Sequence, residues 1–357
     1  MQPQQLSAAN DTALTVETDD GVLFAIDIGV TLYFTGSQHQ AKREAILSIF
    51  RDYLDLVGDQ LTWTTNPQTG RWKKLQGWDS YITPFDWLPS YGRGEWEFTY
   101  HGGKRRTDAS FYGFSVLGVH VDEMHPHLSS MQCYFPIDFF IDREEKLPAL
   151  LQRWCEALAP EHGYAGLALN RAYSHHHRDQ AQLLEYRYAQ RFPGLQINDP
   201  SGHRLNLARG PKGVDWLTVL NDGWLEKLGG REAVRKQMGA LPMLDYSDGA
   251  ILRAGPMPQL GDNDNPETLA ALQDYRRVAA IIEPVRIKDH QGIHRRYTPS
   301  MAHEPRLDKE NYRAWLARFR FCLKSLHANN GLCRPGILSP GSCWPICRNG
   351  CKPGVAL

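Results

Sequence analysis

From residue 22 to residue 34 every second position is apolar: Val22, Phe24, Ile26, Ile28, Val30, Leu32 and Phe34. Strict period two places these side chains on one face of an extended chain, so the spacing predicts a long strand over 22–35 with a mixed second face. Ser37 offers a helix cap. Ala45, Ile46, Ile49, Phe50, Tyr53, Leu54 and Val57 then recur at helical spacing as far as Gly58, which predicts a helix. Further apolar runs predict strands over 61–65, 96–101, 109–121 and 131–140, and a helix over 144–158. A turn at Glu161-His162-Gly163 opens a second alternation, with a strand over 164–169 and a helix over 180–190.

The stretch 210–264 is dense in glycine and proline. Trp216, Leu217, Val219, Leu220, Trp224, Leu225 and Leu228 recur at three- and four-residue steps, and the pattern predicts a helix over 215–228. Gly229 and Gly230 end it, because glycine enters the left-handed C-terminal cap without a steric penalty. A second short helix is expected over 231–238, stopped by Pro242. Apolar runs around Ser247-Asp248-Gly249 predict a hairpin over 244–253. Asn265-Pro266-Glu267 supplies a cap, a first-turn proline and a first-turn acid for a helix to about Ile282. The fold class is therefore α+β, with antiparallel or mixed sheets and packed helices. Strand, helix, then more strands occurs in both halves, which suggests two related units over 21–160 and 161–325. They stand between a flexible N-terminal segment, 1–20, and a Cys/Gly/Pro-rich tail over 326–357 without apolar periodicity.

Several short strings in this layout carry a family resemblance. They are GYAGLALN (163–170), RFPGL (191–195), WLT (216–218), LGG (228–230), AGP with PQLGD (254–262) and WLARF (315–319). Six strings in one order resemble the bacterial type VI secretion immunity proteins, TsiV/TsiT-like antitoxins, over roughly 21–319. The resemblance implies a soluble protein encoded beside a toxic effector, in several cases a nuclease, which it binds and neutralises. It implies no catalytic residue and no cofactor. The implied partner is the cognate effector, with neither membrane nor direct nucleic acid.

Composition permits this reading. A chain of 357 residues, 42% hydrophobic, can bury a large core. Formal net charge is zero, which gives no general attraction to nucleic acid or acidic lipid. Charge is unevenly spread: residues 1–60 hold nine acids against three bases, and 276–357 hold fifteen bases against five acids. An acidic face of this kind could mimic nucleic acid toward a basic toxin. The first twenty residues lack the basic and apolar regions of a secretory signal, and no apolar run approaches the ~18 residues of a membrane span, so the expected location is the cytoplasm. Cys333, Cys343, Cys347 and Cys351 crowd into the tail with a spacing unlike common zinc sites.

Candidate chemistry is sparse. His120, Asp122, His125 and His127, with Glu123, are metal-capable residues at the end of an expected strand, and they define an alternative reading as a metal-dependent hydrolase. Adjacent positions of mixed direction are commoner on a polar loop, and no second cluster completes the set. His175, His176 and His177 are consecutive and cannot all face one ion. Asp138, Glu144 and Lys146 imitate a nuclease acid pattern, but the acids are too close for the usual strand pairing. Asp262, Asn263 and Asp264 lack the glycine and distal glutamate of a calcium loop and read as a turn.

The strongest surface candidate is aromatic. Trp63, Trp72, Trp78, Trp87 and Trp96 lie within 34 residues, interleaved with charges, a composition typical of interface anchors. Packing over the sheet would also account for them, and stacking on single-stranded nucleic acid is a third reading. Gly70, Pro84, Pro89 and Gly92 break the segment into a long loop, which favours exposure of some rings. Trp72, Trp78, Asp79, Asp86, Trp87 and Tyr91 are the expected partner-binding residues.

Overall fold

The period-two run becomes the spine of one large sheet. The computed structural model describes residues 15–320 apart from 20, 68, 76–82, 93, 121–126, 142, 174 and 290–305. In chain order the first half comprises β1 (Thr15–Thr18), β2 (Gly21–Phe34), α1 (Gln40–Val57), β3 (Trp63–Thr65), β4 (Trp72–Lys74), α2 (Pro84–Trp87), β5 (Trp96–His101), β6 (Gly113–Gly118), β7 (Ser129–Phe135) and α3 (Lys146–Leu158). There follow β8 (His162–Arg171), α4 (His175–Arg191), β9 (Gln196–Ile197), α5 (Pro200–Leu207), β10 (Leu217–Asn221), α6 (Asp222–Lys227), α7 (Arg231–Met238), β11 (Met243–Tyr246), β12 (Gly249–Arg253), α8 (Gln273–Ile282) and α9 (Lys309–Leu316). Among the described residues no helix is long and apolar enough to cross a membrane.

The strand order is β11-β12-β10-β8-β2-β7-β6-β5-β3-β4, with β1 paired to β2 and β9 to β8. All pairings are antiparallel except β8 with β9, so the sheet is mixed. β2 lies between β7 and β8, in register from Ile28↔Phe135 to Phe34↔Ser129 on one side and from Phe24↔Arg171 to Tyr33↔His162 on the other. One face is the apolar face foreseen from period two. Ile28, Val30 and Leu32 align there with Phe135, Cys133 and Met131. Phe50 of α1 reaches down to Phe98, Tyr100 and Phe114 at centroid distances of 5.3, 4.9 and 4.9 Å. Trp154 Nε1–H donates to Asp52 Oδ2 at 3.0 Å and ties α3 to α1.

The mixed face of β2 is buried as well; Asp27 and Thr31 find side-chain partners there, while the Tyr33 hydroxyl and Asp27 Oδ1 have none among the described residues. Asn170 Nδ2–H donates to Asp27 Oδ2 at 2.8 Å, Gln132 Nε2–H to Thr31 Oγ1 at 3.4 Å, and Asn198 Nδ2–H to Thr31 Oγ1 at 3.2 Å. Lys212 Nζ donates to Ile197 O and Asn198 Oδ1 at 2.8 and 2.6 Å. Burial pushes the Asp215 carboxyl up to about 8 and the Lys212 ammonium down, because low dielectric disfavours both charged forms. A side chain at Gly166 would place its Cβ 1.9 Å from Asp215 Oδ1, so only glycine admits that carboxylate. Arg171 and Glu185 form a buried ion pair at 2.6 Å.

Two buried histidines give this layer a pH dependence. His162 Nε2–H donates to Leu207 O at 2.9 Å, and burial holds its imidazole down to about 4; burial does the same for His101. An unfolded chain protonates histidine near 6.5, so between pH 6.5 and 4 each ring's contribution to stability falls as pH falls, while the raised Asp215 carboxyl contributes with the opposite sign. Each ring accounts for on the order of 3 kcal/mol across that window. His162→Gln is expected to remove one ring's loss from the urea-midpoint profile, so that on going from pH 6.5 to 4 the variant gains stability relative to wild type. Parallel profiles would refute this assignment.

Three expectations are corrected at element level. Residues 217–221 form β10 between β8 and β12 instead of the first part of a helix. Leu217, Val219 and Leu220 are all fully buried, and a short apolar run covered on both faces mimics a helical stripe. Only α6 is helical there, capped where Asn221 Oδ1 accepts from Trp224 N–H at 3.1 Å. Ser37 does not cap α1; its hydroxyl donates to Val119 O at 2.6 Å, and His39 is the N-cap residue. β7 stops at Phe135, because Pro136 lacks an N–H for the ladder and a 3-10 turn follows over Ile137–Phe140. The hairpin of β11 and β12 closes as expected, with Tyr246↔Gly249 flanking a two-residue turn.

Candidate functional site

Alternation along β5 sorts its side chains. Trp96, Phe98 and Tyr100 point into the core, whereas Glu97 is exposed and Thr99 half-buried on the other face. Trp96 is 3% exposed, and its Nε1–H donates to Ser37 O at 3.2 Å. Just before β5, α2 is built by a capping box. Thr83 N–H and Oγ1–H both donate to Asp86 Oδ2, at 2.6 and 2.8 Å, and Pro84 occupies the first helical turn. This short helix presents Trp87, whose ring meets Tyr91 edge-on at 5.5 Å and Phe98 at 6.5 Å. Tyr91 O–H donates to Glu95 O at 2.9 Å, which fixes the loop leading back into β5.

These residues enclose a surface groove of about 510 Å³, lined by Pro67, Trp87, Tyr91, Glu95, Trp96, Glu97 and Leu117. It joins three aromatic rings to two carboxylates. A polar cavity of about 230 Å³ shares Glu97 and Leu117 with it and continues over the outer faces of β5, β6 and β7. Thr99, Ser115, Gln132 and Asn170 are among its walls, and Tyr173 closes one side. Tyr173 stacks on His101 at 4.4 Å, and Trp72 stands edge-on to both at 5.2 and 4.8 Å.

Of the expected partner-binding residues, Trp87 and Tyr91 come together in the groove. Asp86 belongs to the capping box of the helix that carries Trp87. Trp72 is half-buried behind Tyr173 and lines neither cavity. Trp78 and Asp79 lie outside the described residues. Trp63 Nε1–H donates to Gly103 O at 3.1 Å, so Trp63 and Trp96 are both engaged within the fold. Sequence reasoning passed over Glu95, Glu97 and Leu117, although the alternation in WEFTYH marks Glu97 as outward. His120 is exposed and His127 half-buried, while Asp122 and His125 fall outside the described residues. Among the described residues no three His, Cys, Asp or Glu side chains are placed to hold a metal ion. Asp262 and Asp264 both pair with Arg191, at 2.8 and 3.3 Å, in the expected turn.

The family model TsiV, described as type VI immunity for VRR-NUC, matches residues 45–319. The chain belongs to this family. The matched span contains the groove, the polar cavity and every string on which the resemblance to type VI immunity proteins rested. The TsiV fold also has a solved counterpart, a Pseudomonas aeruginosa type VI secretion system protein. It is 24% identical, with a TM-score of 0.75 over 92% of this chain and 96% of that one. No curated protein matches the sequence. As a TsiV protein, the chain is an immunity protein of the type VI system.

Proposed function

We propose that this chain protects its cell by binding a cognate effector with a VRR-NUC nuclease domain, encoded by a neighbouring gene, and occluding the surface the nuclease needs. The observation that carries the reading is the family match over 45–319, which is named for that nuclease domain. The groove supports it physically. Trp87 and Tyr91 supply large, stiff apolar anchors, and Glu95 and Glu97 supply charge opposite to that of a surface built for nucleic acid. Inhibition by occlusion requires no chemistry of the chain's own, so the protein acts as a binder, not an enzyme. A nuclease effector meets its substrate in the cytoplasm, and the immunity protein acts there.

Co-expression of the neighbouring effector gene with this chain is expected to restore growth that the effector alone abolishes. The two proteins are expected to co-purify. Growth arrest that persists although the chain is present and folded would overturn the proposal.

A further inference from the structure

The groove contains an unfinished sheet edge. Thr99 N–H turns away from β6 and donates to Thr65 Oγ1 at 3.3 Å, and His101 O likewise turns outward to accept from Thr62 N–H at 2.9 Å. Peptide groups two residues apart in a strand point the same way, so Glu97 also directs its N–H and C=O outward. β3 could have covered that edge, but its pairing with β5 ends at Thr64↔Tyr100. Continued in register it would set Pro67 opposite Glu97, and proline has no N–H to donate. The chain bends away there, with Gly70 N–H donating to Asn66 O at 2.8 Å. Among the described residues no group is hydrogen-bonded to the outer edge at Glu97.

The surroundings of that edge select an occupant. Glu95 and Glu97 enter no salt bridge among the described residues, and Arg204 lies within electrostatic reach of Glu95. Glu95 and Glu97 together line the groove with two carboxylates and give the edge its acidic character. Trp87, Tyr91 and Leu117 add apolar surface to the same groove. An acidic edge repels acidic strands and blunts casual aggregation, while a basic one gains both backbone and charge contacts.

We propose that an extended, Lys/Arg-bearing segment of the effector adds as a strand to β5 at Glu97. Its backbone exchanges hydrogen bonds with Glu97, one basic side chain lies against Glu95 and Glu97, and an apolar neighbour lies between Trp87 and Leu117. The inference rests on the effector reading above and gives that contact its chemistry.

The test uses the full chain and the purified cognate effector. Hydrogen exchange of the Glu97 amide is expected to slow at least tenfold in the complex. Glu95→Gln with Glu97→Gln is expected to weaken binding about tenfold at 50 mM NaCl, with the difference shrinking by 500 mM as salt screens the charges. Glu97→Pro, which deletes the outward N–H, is expected to weaken binding at least tenfold; the exchange measurement on wild type stands independently if that variant folds poorly. If wild type binds the effector but Glu97 exchange is unchanged and the Gln variant binds as tightly at both salts, strand addition is refuted and the effector reading survives. If wild type does not bind the effector at all, both fall.

Discussion

Trp87→Ala is expected to lower affinity for the effector by about 2–4 kcal/mol, roughly thirty- to a thousandfold, the range for a central aromatic anchor. The ring is half-buried against Tyr91 and Phe98, so part of its surface is already sheltered in the free protein. Its truncation should therefore cost stability less, about 1–2 kcal/mol. The two effects are separable by measuring Kd at a temperature where both proteins are fully folded, alongside the urea midpoint. A Kd within threefold of wild type would remove the groove as the contact surface, whatever the change in stability. Trp72→Ala is the useful contrast. That ring packs behind Tyr173 and lines neither cavity, so its loss should appear in stability before it appears in binding.

Phe50→Ala is expected to destabilise the fold by ~4 kcal/mol, the sum of lost burial and the cavity left behind. Phe50 is fully buried and touches Phe85, Phe98, Tyr100 and Phe114, at 5.7, 5.3, 4.9 and 4.9 Å between ring centroids. Phe85 lies in the helix that carries Trp87, and Phe98 lies under it. The variant should therefore show a loosened groove at temperatures below its global transition, read as faster amide exchange over residues 84–98. A loss under 2 kcal/mol would mean that the aromatic cluster repacks around the missing ring.

The parts legible in the sequence are those where one period holds for many residues. β2 and α1 were written in period two and in helical spacing, and the β11–β12 hairpin in its turn chemistry. Residues 217–221 were not legible, because a strand buried on both faces loses the alternation that would distinguish it. β4 and β9 were too short, at three and two residues, to carry any period. The site was half legible. Trp87 and Tyr91 stood out by residue type, but what sets them apart from Trp96 and Trp63 is tertiary: α2 holds Trp87 at a groove, while Trp96 turns inward and Trp63 bonds to Gly103. The polar second face of β2 was also invisible. Asp27 and Thr31 read as a mixed face, and only the partners from β7, β8 and the 198–215 segment make their burial tolerable.

The position of β2 at the middle of the sheet also sets a timetable for synthesis. Its second long partner ends at Arg171, 137 positions after Phe34. At roughly 5–20 residues per second, a ribosome needs about 7–27 s to make that stretch. Until then β2, with its uninterrupted apolar face, has emerged ahead of β8, and sheet pairings this distant in sequence form slowly. Local hairpins such as β5–β6 can close early, but the spine cannot. The spine of the sheet therefore cannot close until β8 has left the ribosome, and that interval is set by the spacing of two strands.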